Sequence, residues 1–299
     1  MDTNTFNLIK KIEFFNDKEI SSILEMTKDK YKIITKSDNY TLGLYPLGSY
    51  DDIKIEEKIE EFLQISKVKV LRLYRAGILP DIDKCYKIFE YRKEISLEDY
   101  LKNNSKEDNY KLGLEFGEIL KNFHNIKITD VKSNWYKSFD TKLNYVLYQL
   151  GLSEKKGDKD YIIQDFINNN RHLTRNTAVN LIHSNLNLKN IRIAKNGIDL
   201  RGLKKINTGD GTIDFLVLNE ASLYSKEFSN AVMKSYFSGN IPTRKFFKLL
   251  SLYQAYYLLC NMVDIRNNRE NELKREKIDK IFEMYDDFSD IIPNWYQTN

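Results

Sequence analysis

A chain of 299 residues, 41% hydrophobic and 30% charged, has enough apolar material for one large domain or two lobes, which excludes an intrinsically disordered protein. Its net charge of +4 comes from lysines interleaved with acids, as in KIEEKIEEF and NELKREKIDKIFE, a pattern of solvated helix faces that argues against nucleic-acid binding. Cys85 and Cys260, like His124, His172 and His183, are too scattered for a metal-spacing motif or a disulfide framework, so free thiols and no zinc site are expected.

The opening MDTNTFNLIKKIEFF has neither the apolar run nor the small-residue cleavage site of a signal peptide, and a cytoplasmic setting is expected. From roughly residue 30 to 90 the pattern predicts strands around a helix. YKIITKSDNYTLGLYPL holds two β-rich runs around a turn-prone Ser37-Asp38-Asn39. DDIKIEEKIEEFLQI places Ile55, Ile59, Phe62 and Leu63 on one helical stripe, with the charges opposite. VKVLRLY and KCYKIFEY read as further strands. From Ser96 the text turns helical: in SLEDYL, Ser96 and Asp99 hold capping-box positions, and NYKLGLEFGEILKNFHNI continues in the same manner. A β-rich interlude between Asn180 and Phe215 includes IRIAKNGIDL, whose Asn196-Gly197 is a strong hairpin signal. From about Asn219 the chain reads as helix to the closing DIIPNWY. The most apolar stretch, KFFKLLSLYQAYYLLCNMV, is interrupted by Lys248, Ser251, Gln254 and Asn261, so a buried core helix is expected and not a membrane span. The plan is α+β, with a strand-rich lobe over 1–92 and a larger helical lobe over 93–299 that contains the strand-loop-strand island.

The chemistry concentrates in HSNLNLKN, His183 to Asn190. Kinase-type phosphoryl transfer uses a loop of the form His-x-Asp-x-x-x-x-Asn, a hairpin, and then a second Asp that binds the metal bridging the nucleotide phosphates. His183, Asn185 and Asn190 hold the loop positions at the right spacing, and the Asn196-Gly197 hairpin follows. The segments NRHLT, HSNLNLKNI, DLRGLKKINTGDGTIDF, YFSGNIPTRKFFKLLSLY and the terminal IIPNWY, with GLEFGEILKNFHNI before them, together resemble the aminoglycoside phosphotransferase and choline kinase superfamily, most nearly its bacterial members. The resemblance covers most of the chain. It implies a two-lobed protein-kinase-like fold, ATP and Mg²⁺ as cofactors in active members, and a hinge at Phe89, Glu90 and Tyr91 beside an adenine pocket.

Against that family pattern the departures fall on the chemistry. Asn185 stands where the catalytic Asp belongs, and its amide is not basic near neutral pH, so it cannot act as a general base. Gly202 stands at the metal-binding Asp and Lys204 at the next acidic place, and the small-lobe cation position falls on Gly43 or Leu44. Asn190 and Asp210 are then the only weak metal candidates, whereas Mg²⁺ usually takes one or two carboxylates. Each loss is worth about 10³–10⁵ in rate by the scale of a single transition-state charge contact. Glu57, Glu60 and Glu61, without a lysine partner, are expected at the surface; His124 and His183 are expected as structural histidines, and Asp210 and Asp214 as braces of a turn. The resulting expectation is a pseudokinase that binds a protein partner or a small ligand. The rival is an active phosphotransferase on a small hydroxylated substrate with Asp199 or Asp210 as substitute metal ligand. Nucleotidyl transfer is a third reading with the same metal requirement, and Lys204 with Lys205 offer a metal-free anion site.

Overall fold

In the computed structural model the described residues are 3–65, 70–127, 134–153, 157–203, 206–267, 269 and 275–298, with the side chains of 3–6 and 64–65 left aside. The elements run α1 (Thr3–Lys10), β1 (Ile20–Thr27), β2 (Lys30–Thr35), β3 (Asn39–Pro46), α2 (Tyr50–Ile65), β4 (Leu73–Leu79), β5 (Lys84–Glu90), β6 (Glu94–Ser96), α3 (Leu97–Asn103) and α4 (Lys106–His124). They continue through α5 (Trp135–Leu152), α6 (Asp160–Asn170), β7 (Asn180–Ile182), β8 (Ile191–Ala194), β9 (Gly197–Leu200), β10 (Asn207–Gly209), α7 (Leu216–Ser222), α8 (Lys226–Tyr236), α9 (Arg244–Arg266) and α10 (Arg275–Met284). The chain divides into two compact units, Met1–Ile95 with Arg192–Lys204, and Ser96–Ile191 with Lys205–Asn299. The β8–β9 hairpin, which the sequence places inside the helical lobe, clusters almost wholly with the first unit. Lys204 and Lys205 lie outside the described residues, as does the start of the VKVLRLY run.

The first unit is built on an antiparallel sheet in the order β1-β2-β3-β5-β4. Side chains alternate across a strand, so each face draws on every second residue. Ile33, Leu42, Leu44, Tyr86 and Ile88 form one face and pack with Ile9, Ile12 and Phe15. The opposite face carries Cys85, which joins Ala76 and Ile53 of α2. Thr41 pairs with Phe89, Gly43 with Lys87 and Tyr45 with Cys85, so these residues share that second face. β1 escapes a sequence reading because only Ile23 of its eight residues is buried and Leu24 and Met26 are exposed.

Helix α2 corrects the predicted stripe. Ile55 and Phe62 are exposed at 52% and 41%, while Ile53, Glu60 and Leu63 are buried, with Glu56 between them at 13% side-chain exposure. The buried face is therefore Ile53-Glu56-Glu60-Leu63, a heptad-like spacing in which two of the four positions are acids. The expectation that Glu60 lies at the surface fails for the same reason.

The second unit is helical. Ser96 caps α3 by accepting from the Asp99 amide at 3.1 Å, as its sequence position predicts. The apolar KFFKLLSLYQAYYLLCNMV segment forms α9 and buries Ser251, Gln254 and Asn261 with its hydrophobic residues. No helix among the described residues is long and apolar enough to cross a membrane. Helix ends at Met284, so the closing DIIPNWY is not helical; it delivers the fully buried Trp295, whose indole Nε1 donates to Asn219 Oδ1 at 2.8 Å. Helices α4 and α8 approach closely at Gly113 and Gly117. A Cβ at Gly117 would stand 2.6 Å from the Val232 carbonyl oxygen, a backbone atom that cannot rotate away. Gly117→Ala is expected to destabilise the chain by about 1–3 kcal/mol through overpacking, which urea denaturation would measure.

Candidate functional site

The first unit contains a cavity of about 380 Å³ over the second face of its sheet. Gly43 lies on its floor, whereas Leu44 belongs to the opposite, apolar face. A side chain cannot be added there without displacing Tyr45, whose hydroxyl would lie 2.6 Å from a Cβ at Gly43. Directly across the β3–β5 pairing stands Lys87, 8% exposed. Its ammonium pairs with Glu56 of α2 and lies 4.8 Å from the Tyr45 ring and 5.3 Å from the Phe89 ring. A lysine of β5 opposite Gly43 thus meets a helix carboxylate across the cavity.

Glu60, one turn beyond Glu56, lines the same cavity, and its Oε2 is buried without a hydrogen-bond partner. Burial pushes its carboxyl up to about 8, with the Glu56 charge adding to the shift and Lys87 opposing it. The remaining lining is strongly cationic: Lys30, Arg92, Lys93, Arg192 and Arg201, against Glu90 and Glu94. Arg92 holds Glu90 through Nε and Nη2 at 2.9 and 2.8 Å, and both Asp199 oxygens through Nη1 at 2.7 and 2.8 Å. Arg201 pairs with Glu94. Gly202 lines the cavity in a left-handed conformation (φ +76°), together with Phe89, Glu90 and Tyr91 of the expected hinge.

The second unit holds the loop. His183 is fully buried after β7, and Ser184 follows with φ +61°. Both amides donate to Asp214, at 2.6 Å from His183 and 2.9 Å from Ser184. The same carboxylate meets His124 Nε2 at 3.2 Å, and since a carboxylate only accepts, that nitrogen carries the proton and Tyr236 donates to Nδ1 at 2.9 Å. Burial, with Asp214 and Asp210 nearby, pushes the Tyr236 hydroxyl up to about 12. Asn187 Oδ1 accepts from the amides of Lys189 and Asn190 at 3.0 and 2.9 Å, and Asn190 Nδ2 donates to the Asn185 carbonyl at 2.9 Å. His183, Asn185 and Asn190 therefore share one braced loop.

A Mg²⁺ ion does not fit these residues. Gly202 offers no carboxylate, and both Asp199 oxygens face the Arg92 guanidinium. Asp210, 6% exposed, accepts from the Thr212 amide at 2.9 Å and the Tyr253 hydroxyl at 2.8 Å. No group of three or more His, Cys, Asp or Glu among the described residues is placed to hold a metal ion.

Compared with solved structures, the chain aligns over nearly its whole length with aminoglycoside phosphotransferases and a choline kinase. It matches the GDP complex of aminoglycoside 2'-phosphotransferase-IIIa at 14% identity and TM-score 0.65, covering 94% of this chain and 95% of that one. It matches choline kinase LicA from Streptococcus pneumoniae at 13% identity and TM-score 0.61, covering 96% and 99%. The fold is that of the aminoglycoside phosphotransferases and choline kinase. A third likeness, to the gentamicin–APH(2'')-IIa complex, has 19% identity, TM-score 0.63 and coverage of 95% and 96%. No family model and no curated protein matches the chain.

Within this kinase-like fold, sequence reasoning points to the His183-to-Asn190 loop but misses Lys87, Glu56 and the burial of Glu60. The available signal is KCYKIFE, a strand in which one lysine alternates with Cys85 and Phe89 on the same face. Glu60 gives a testable pH dependence. Its folded-state value lies above the ordinary 4.5, so between about 4.5 and about 8 the folded chain keeps a proton that the unfolded chain releases. Stability therefore falls as pH rises through that window, by up to about 1.4 kcal/mol per pH unit. Glu60→Gln is expected to flatten this slope in melting temperatures measured from pH 5 to 8; an unchanged slope would refute the assignment.

Proposed function

We propose that this chain is a kinase-fold binding protein that does not transfer phosphate and acts by holding a small anionic ligand. The observation that carries the reading is the engagement of every candidate carboxylate: Asp199 by Arg92, Asp210 by Tyr253 and Thr212, Asp214 by the loop amides and His124. Phosphoryl transfer is catalysed mainly by positioning and by metal ions and cations that neutralise charge, with an Asp to accept or orient the hydroxyl proton. Positioning is retained, since the loop is braced at Asp214 and at Asn190. The proton acceptor is replaced by Asn185, and the metal carboxylate by Gly202. A rewired enzyme would need Asp199 released from Arg92, or Asp210 released from Thr212 and the fully buried Tyr253, whose hydroxyl would lose its acceptor.

Cation excess around the cavity supports an anionic small molecule as the ligand in preference to nucleic acid. Cys85 and Cys260 are both free thiols, and burial pushes the Cys260 thiol up to about 11, which makes it a poor nucleophile. With γ-labelled ATP or GTP, Mg²⁺ and a panel of hydroxylated acceptors including aminoglycosides and choline, purified protein is expected to yield no labelled product. Product formation that disappears in Asn185→Ala would overturn the reading.

A further inference from the structure

Two carboxylates on successive turns of α2 face one buried lysine. Glu56 takes the Lys87 ammonium, while Glu60, 6% exposed, lines the cavity with Oε2 buried and unpartnered. A buried ionised carboxylate with an open oxygen is costly, and a protonated one is a hydrogen-bond donor looking for an acceptor. The charges facing Glu60 are Glu56 and Glu57 from its own helix, Lys87 from β5 and Arg201 beyond β9, with the Tyr45 hydroxyl from β3 close to Lys87. Only Lys87 among them lies on the sheet opposite Gly43, where it lines the cavity beside the Tyr45 and Phe89 rings.

We propose that the cavity over Gly43 binds a phosphate-bearing anion without a metal ion, Lys87 supplying the cation from β5 and Glu60 acting as a proton gate on that binding. The proposal deepens the non-catalytic reading above by naming the ligand class and its control. With Glu60 protonated, Lys87 has one carboxylate partner and can share its remaining donors with a phosphate, and the Glu60 hydroxyl can donate to a phosphate oxygen. With Glu60 ionised, a second negative charge competes for Lys87 and repels the incoming anion. Binding and protonation are then linked in both directions: the anion draws a proton onto Glu60, and loss of the proton weakens the anion. The transition belongs near pH 8, where burial places this carboxyl. Binding is strong below that pH and declines above it.

The test is isothermal titration of the full chain with ATP in excess EDTA, and with inorganic pyrophosphate as a second probe, from pH 7 to pH 9 in buffers of different ionisation enthalpy. The expected result is binding in EDTA, uptake of a fraction of a proton near pH 8, and affinity about tenfold lower at pH 9 than at pH 7. Glu60→Gln is expected to abolish both the proton uptake and the decline. A Lys87→Met, Glu56→Gln double variant, which replaces the ion pair with a neutral pair and whose folding is checked by its melting curve, is expected to weaken ATP by at least about tenfold. Binding in EDTA that is indifferent to pH, or that survives the double variant, overturns the proposal. Absence of binding with or without Mg²⁺ also overturns it and leaves the non-catalytic reading standing. Binding that requires Mg²⁺ overturns both.

Discussion

The buried pair of Lys87 and Glu56 is the interaction around which the first unit is arranged. An ammonium enclosed by sheet and helix needs a carboxylate within reach, because removing one partner of a buried pair leaves an uncompensated charge. That requirement fixes α2 against the sheet with an acid, where an ordinary amphipathic helix would present a hydrophobe, and Ile53 and Leu63 flank the acids to supply the apolar contacts. It also fixes β3. The strand opposite Lys87 must offer a residue without a side chain, and Gly43 does so while the Tyr45 ring fills the adjacent space. The first unit thus encloses a paired cation beside a cavity, while the carboxylates Asp199 and Asp210 are held by Arg92 and by Tyr253 and Thr212.

The second unit tells the same story from the side of the loop. Asp214 gathers two backbone amides and a histidine, and a carboxylate that accepts several such bonds is strongly anchored. Its service is to shape, since it holds Ser184 at a positive φ and carries His183 into the interior. None of these contacts asks for chemistry at Asn185. A loop can keep its form by backbone bracing whatever side chain stands at its tip, and in this chain the bracing runs through Asp214, Asn187 and Asn190 while Asn185 offers an amide.

Much of this was legible in the sequence because it rests on local signals. The Asn196-Gly197 hairpin, the Ser96 cap, the α9 core helix and the His183-to-Asn190 loop each follow from neighbouring residues. Asp210 likewise caps the turn that follows it, as its position suggests. What stayed hidden depends on strand register and on what packs against what. Gly43 and Lys87 meet only through the β3–β5 pairing, which no local spacing encodes. Glu60 reads as one more charge on a charged helix, and the hydrophobic count favours Ile55 and Phe62, which the structure exposes. The hydrophobic stripe of α2 does not mark its buried face because burial there follows a lysine on another element rather than the helix's own hydrophobicity. β1 was missed because an edge strand with a single buried residue carries almost no alternation.

The measurement that bears most directly on the proposed metal-free binding is a thermal-shift comparison of the ATP-saturated protein in Mg²⁺ and in EDTA. Ligand at 100 times its Kd adds about 2.7 kcal/mol of stability, a shift of several degrees for a chain of this size. The account predicts an upward shift that is as large in EDTA as in Mg²⁺. A shift that appears only when Mg²⁺ is present would contradict it, because the chain would then have assembled a cation site from carboxylates now committed to Arg92, Tyr253 and the loop amides.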